Sequence, residues 1–178
     1  QYMYLAPGSV VHKISESIPG EAAVLACSVV ANGIQWVSHV GGVRMGDVVV
    51  IQGPGQQGLA GIVAAKESGA GFVAVTGLTR DRHRFELAKT LGADLTIDIE
   101  KEDATERLLQ ATGGQLADVV LDVSSDPRAL PEAANLVRKG GTIVEANIVG
   151  QETRIALPSD QLVFKQATLK FPYTSTEP

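Results

Sequence analysis

At 178 residues, 44% hydrophobic and 20% charged, the chain can bury a sizeable core and suits one globular unit or slightly more. Its net charge of -5 argues against nucleic acid as a main partner, because phosphate binding needs a basic surface. No apolar stretch approaches the roughly 20 residues of a spanning helix and no basic, apolar leader opens the chain, so no membrane partner is expected. The single cysteine, Cys27, excludes an internal disulfide and favours a reducing, cytoplasmic setting. The start at Gln1 rather than methionine leads us to expect a missing upstream part.

In chain order, Tyr2 to Leu5 and Val10 to Ile14 read as short strands around the turn Ala6-Pro7-Gly8. After Pro19-Gly20 a helical pattern runs from Glu21 towards Val40, carried by Ala22, Ala23, Leu25, Ala26, Val29, Val30, Ile34 and Val37, and stops at Gly41-Gly42. From Gly46 onward strands and helices alternate, and the strands are continuous apolar runs, as expected where both sheet faces are covered. The predicted strands are Asp47 to Gln52, Phe72 to Thr76, Leu95 to Ile97, Asp118 to Asp122 and Thr142 to Ala146. The predicted helices are Gln56 to Glu67, Asp81 to Leu91, Glu102 to Ala111 and Arg128 to Val137, each followed by glycine. Ile155 to Leu157 and Ala167 to Phe171 read as further strands. The expectation is an α/β fold with a doubly wound parallel sheet of the Rossmann type, preceded by a small β segment. It divides as 1–20, a helix over 21–45, the sheet domain over 46–172 and a tail over 173–178.

The first strand runs straight into Gly53-Pro54-Gly55-Gln56-Gln57-Gly58-Leu59, glycines at G-x-G-x-x-G spacing that open a helix. Gly53 would allow a sharp turn, Gly55 a close approach of backbone to a pyrophosphate, and Gly58 tight packing of helix on strand. The helix N-terminus would present N–H groups and a positive dipole end to the phosphates. In such sheets the ligand crevice lies at the carboxyl ends of the strands, where the strand order reverses. The candidate binding residues are therefore Gly53, Gly55, Gln56, Gln57, Gly58 and Leu59, then Gly77, Thr79 and Arg80, then Val123 and Ser124, and finally Asn147 and Ile148.

A protein selective for NAD usually carries a carboxylate at the end of the second strand, where it holds the ribose hydroxyls. Gly77 stands there, and Arg80, Arg82 and Arg84 follow. A guanidinium at this place could grip the 2′-phosphate of NADP in bidentate fashion, so the reading leans towards NADP. The same arginines also fit the solvated first turn of a helix, with Asp81 as its cap, and Asp81 could instead reach the ribose.

Strand, glycines, Ala64-Ala65-Lys66, Val75-Thr76-Gly77, the run Leu87-Ala88-Lys89-Thr90-Leu91-Gly92-Ala93-Asp94 and Val137-Arg138-Lys139-Gly140-Gly141 occur in one order. With them the chain resembles the medium-chain dehydrogenases/reductases, more narrowly the zinc-dependent alcohol and polyol dehydrogenases. The resemblance implies NAD(P), a small alcohol or carbonyl substrate, zinc in the full-length protein, and association as a dimer or tetramer through the last strand, Ala167 to Phe171. It also implies that residues 1–20 are a remnant of the catalytic domain and 21–45 the linking helix. Catalytic residues and most zinc ligands are then expected upstream, so this chain by itself should bind cofactor without turnover. The family's downstream zinc ligand falls at Cys27, or at Ser28 when counted back without gaps from Gly33 and Gly46. A cysteine among small apolar residues also fits simple packing. His12, His39 and His83 lie too far apart to pair as ligands, and Asp98, Asp122 and Asp126 stand near strand ends without an assignable acid or base role. A nucleotide-binding or sensing module, or a zinc-free quinone-reductase-like enzyme, could use the same fold. A methyltransferase-like domain fits less well, because its glycine loop usually follows a carboxylate-led pattern.

Overall fold

The computed structural model describes residues 2–173 and contains a six-stranded sheet in the order β3-β2-β1-β4-β5-β6, with every pairing parallel. The strands are β1 (Val48–Gln52), β2 (Phe72–Gly77), β3 (Leu95–Asp98), β4 (Ala117–Asp122), β5 (Val137–Glu145) and β6 (Thr168–Lys170). The helices are α1 (Gly20–Gly41), α2 (Gln56–Glu67), α3 (Arg82–Thr90), α4 (Ala104–Thr112), α5 (Ala129–Leu136) and α6 (Ser159–Lys165). Side chains alternate across β1: Val49 and Ile51 face α1, α2 and α3, whereas Val48 and Val50 face α4 and α5. Both faces are thus dry, which is why the strands carry Val and Ile at consecutive positions. The order reverses between β1 and β4, which opens a crevice there at the carboxyl edge.

The alternation read from the sequence is present, and the departures from it have physical causes. Residues 2–14 form no strand and are exposed, because an isolated extended segment with no neighbour cannot complete a ladder. Residues 155–157 are likewise irregular. The helix α6 was not foreseen, since its seven residues are too few to display a period. Helix α5 stops at Leu136 because Val137 turns extended and pairs with Ala117. Lys165 Nζ donates to the carbonyls of Ala134, Asn135 and Val137, closing that helix end. Burial there lowers the Lys165 pKa from its usual value. Most of the proposed tail over 173–178 lies outside the described residues.

Helix α1 corrects a second expectation. It runs over 22 residues with a mean hydropathy of 1.3 in its most apolar window, so the chain does contain a helix long and apolar enough to cross a membrane. In the fold its Trp36 and Val37 pack in the core beside the sheet. Trp36 Nε1 donates to the Tyr173 carbonyl at 2.8 Å, and Lys170 Nζ of β6 donates to the Val40 carbonyl at 2.6 Å. The helix is thereby stitched to the far end of the sheet.

Asp118 joins three strands at the amino edge. It accepts the Val48 N–H at 2.8 Å and the Arg138 Nε–H from β5. Asp118→Ala orphans the nearly buried Val48 amide and should cost about 1–3 kcal/mol, with Asp118→Asn costing less. Urea denaturation of the three proteins measures this order.

Candidate functional site

Between the ends of β1, β2 and β4 lies a crevice of about 530 Å3. Its floor is the glycine turn. Gly53 has φ +101°, and a Cβ there would lie 2.7 Å from Ser124 Cα, so only glycine fits. A Cβ on Gly58 would lie 1.9 Å from the Gly53 carbonyl oxygen, which forces α2 to begin hard against the exit of β1. Gly55 differs, since its φ is −71° and a Cβ would meet open space. It holds the N-cap position of α2, and no side chain caps that helix. The uncapped start of the helix thus stands at the crevice with open space beside residue 55. This is the geometry an anionic phosphate needs.

The crevice brings together Gly53, Gly55, Gly77, Arg80, Val123 and Ser124 from the sequence reading. Gln56, Gln57, Gly58, Leu59, Thr79, Asn147 and Ile148 do not line it. Leu59 instead packs on the core, Gln57 Oε1 is buried with no partner, and Ile148 is exposed. Thr79 is engaged from below: its N–H donates to Glu100 and its hydroxyl to Asp98 at 2.7 Å. Lys101 and Thr79 hold the Asp98 carboxyl below its usual pKa.

Asp81 is buried and accepts the Leu78 N–H and Arg84 Nη1, both at 3.1 Å. It braces the loop after β2. Arg84 lines the crevice while paired with Asp81, and Arg128 does so while paired with Asp126 at 2.6 Å. The guanidinium of Arg128 holds the Asp126 carboxyl below its usual range. Among the described residues lining the crevice, Arg80 is the cation that enters no ion pair.

Reasoning from sequence missed Glu145. Its Cα pairs with Asp122, which in turn pairs with Gln52, so the three side chains form one row on one sheet face. All three are buried, at 7%, 0% and 3% exposure. Burial, then the neighbouring Asp122 carboxylate, push the Glu145 carboxyl from 4.5 up to about 8; burial also raises Asp122. The available signal was a carboxylate interrupting the apolar run Ile143-Val144-Glu145-Ala146.

No metal site assembles. Among the described residues no group of three or more His, Cys, Asp or Glu could hold an ion, and Cys27 is exposed on α1. A catalytic zinc needs three protein ligands, so these residues do not fit one.

A uniformly parallel sheet with a glycine cradle and an uncapped helix at its switch point defines a dinucleotide-binding domain of the Rossmann type. The family model for zinc-binding dehydrogenases matches residues 58–176, and the chain belongs to that family, to its NAD(P)-binding part. It is 42% identical over 169 residues to a probable alcohol dehydrogenase of Mycobacterium tuberculosis, covering 93% of this chain and 46% of that protein. It is 36% identical over 148 residues to D-arabitol-phosphate dehydrogenase of Enterococcus avium, covering 81% of this chain and 40% of that protein. The solved alcohol dehydrogenase of Thermotoga maritima superposes with a TM-score of 0.82 at 32% identity, over 92% of this chain and 46% of that one. The chain thus spans about half the length of the curated relatives it matches.

Two substitutions separate the roles of the glycines. Gly55→Asp places a favoured capping side chain in open space, so the melting temperature should hold or rise. Dinucleotide affinity should fall at least about tenfold, because the carboxylate occupies the phosphate cradle. Gly58→Ala should instead lower stability by about 3 kcal/mol or more through the backbone clash. Thermal melting and fluorescence titration with NADH and NADPH read both effects.

Proposed function

We propose that this chain is the cofactor-binding domain of an NAD(P)-dependent alcohol or polyol dehydrogenase. The carrying observation is the open cradle at Gly55 in front of the uncapped N-terminus of α2. Gly53, Gly55 and the first-turn amides of α2 hold the pyrophosphate, and Val123 and Ser124 flank the ring end of the crevice. When bound, the nicotinamide exchanges a hydride with an alcohol or carbonyl carbon. The described residues supply no zinc site and no acid or base aimed at a substrate, so this chain alone binds cofactor without turnover. Its relatives' names, alcohol and polyol phosphate dehydrogenases, support the substrate class.

The cofactor preference is for NADP. Gly77 leaves the end of β2 without an acid, and a Cβ there would sit 2.9 Å from the Pro54 ring, so a carboxylate could enter only if Pro54 moved. The acid that lines the crevice beyond this strand end, Asp81, is committed to the Leu78 N–H and Arg84, and Asp98 and Glu100 are committed to Thr79. Arg80 remains free to meet a 2′-phosphate. A second copy is the expected partner, docking along the outer edge of β6, where Phe164 and Phe171 are exposed. A reducing, cytoplasmic setting completes the reading.

Parallel titrations test the preference. NADPH should bind more tightly than NADH, and Arg80→Ala should weaken NADPH roughly tenfold or more while leaving NADH within about twofold, since a charge-assisted bond is worth roughly 1.5–3 kcal/mol. Equal affinities unchanged by the substitution would remove the 2′-phosphate argument.

A further inference from the structure

We propose that Asp122 and Glu145 form a one-proton clasp that positions the loop after β4, which lines the crevice, against the end of β5, so that dinucleotide affinity falls when the clasp loses its proton. The inference rests on the reading of the crevice as a dinucleotide site and adds a device to it. Neither residue touches the cofactor; both are positioning residues.

The clasp is built across adjacent strands. Asp122 ends β4 and Glu145 ends β5, paired in register with both side chains on the face covered by α5. Asp122 Oδ1 accepts the Ser124 N–H at 2.9 Å, and the Asn147 amide nitrogen approaches Asp122 Oδ2 at 3.5 Å. The Asn147 backbone lies close enough to Glu145 to favour its ionised form, against the larger effect of burial. Asp122 thus tethers the loop after β4 through Ser124 and approaches the residue that follows β5 through Asn147. Glu145 Oε2 has no partner although buried, and neither does Gln52 Oε1 in the same row.

Two carboxylates side by side in a buried row cannot both ionise cheaply; one proton shared between them removes the repulsion. Among the described residues no Lys, Arg or His forms an ion pair with either carboxyl. The row's other neighbour on β1 is the neutral Gln52, whose amide donates to the Ala129 carbonyl. The turn before α5 presents Asp126 and Arg128, paired with each other, and α5 itself presents Glu132 at the crevice wall. Lys165 of α6 is bound at the far end of α5, and Lys170 of β6 is bound to Val40. Charge that develops on the pair is left unanswered.

The route from proton to cofactor is short. Ser124, tied to Asp122, lies against Gly53, the residue that turns the chain into the phosphate cradle. A second negative charge loosens the Ser124 tether, and it also adds repulsion near the phosphates. The same proton bears on stability. A carboxyl held protonated more tightly in the folded chain than in the unfolded one favours folding at low pH, and that advantage is lost as pH rises through its folded value. For Glu145 the window runs from 4.5 to about 8.

The test titrates NADH, which lacks a 2′-phosphate that would itself titrate, between pH 6.5 and 9.5 against the unaltered chain, Glu145→Gln and Asp122→Asn. Melting curves and the infrared band of a protonated carboxyl are recorded without cofactor over the same range. The unaltered chain should lose NADH affinity at least about fivefold, or roughly 1 kcal/mol, as pH rises through about 8. Its melting temperature should fall and its carboxyl band vanish over the same interval. Glu145→Gln, which cannot lose a proton, should keep its affinity within about twofold and lack the band, and Asp122→Asn should likewise flatten the profile. An identical pH profile in the unaltered chain and Glu145→Gln overturns the clasp. Absence of NADH binding at every pH overturns the cofactor reading and its linkage to the clasp. In that event a flat melting profile with no carboxyl band overturns the shared proton as well.

Discussion

The structure depends on one close approach. Helix α2 starts so near the end of β1 that a methyl group on Gly58 would overlap the Gly53 carbonyl. That contact sets the angle at which the helix leaves the sheet, and it brings the uncapped start of α2, at Gly55, to the crevice between β1 and β4. The same approach carries Ile62 and Ala65 into the core against the sheet. The sharp turn at the crevice and the packing of the core are two results of one steric constraint.

Around the turn, polar groups are arranged so that most are already engaged. Asp81, Asp98, Glu100 and Asp126 each accept from a nearby amide, hydroxyl or guanidinium. They stiffen the loops after β2 and β4, Asp81 and Asp126 from within the crevice wall. What remains free is informative: an open cradle at Gly55, the Arg80 guanidinium, and acceptors in the buried row at the ends of β1 and β5. The first two are the features on which the proposed cofactor preference rests, and the last is where the proposed clasp sits.

Much of the sheet was legible because burial on both faces demands apolar runs, and Val48 to Ile51 and Val119 to Leu121 could hardly be anything else. The glycine spacing was legible for a related reason: only glycine satisfies the turn and the close approach. The flanking segments were harder. Tyr2 to Leu5 and Val10 to Ile14 have strand composition but no strand beside them, and composition does not supply a partner. Helix α1 was read at nearly its full length, but its apolar character was underrated because Asn32, Gln35 and His39 interrupt the apolar run.

The sequence by itself determined the alternation of strands and helices, the glycine turn into α2 and the missing acid at Gly77, because these follow from local periodicity, short spacing and residue type; its motifs in one order carried the resemblance to the family. Tertiary structure decided which polar residues face the crevice and which brace it. Thr79 and Leu59 turned inward to other work, while Glu145 was brought beside Asp122 from 23 positions away. Register between strands distant in sequence fixes such neighbours, and a charge's meaning depends on what lies next to it once water has been removed.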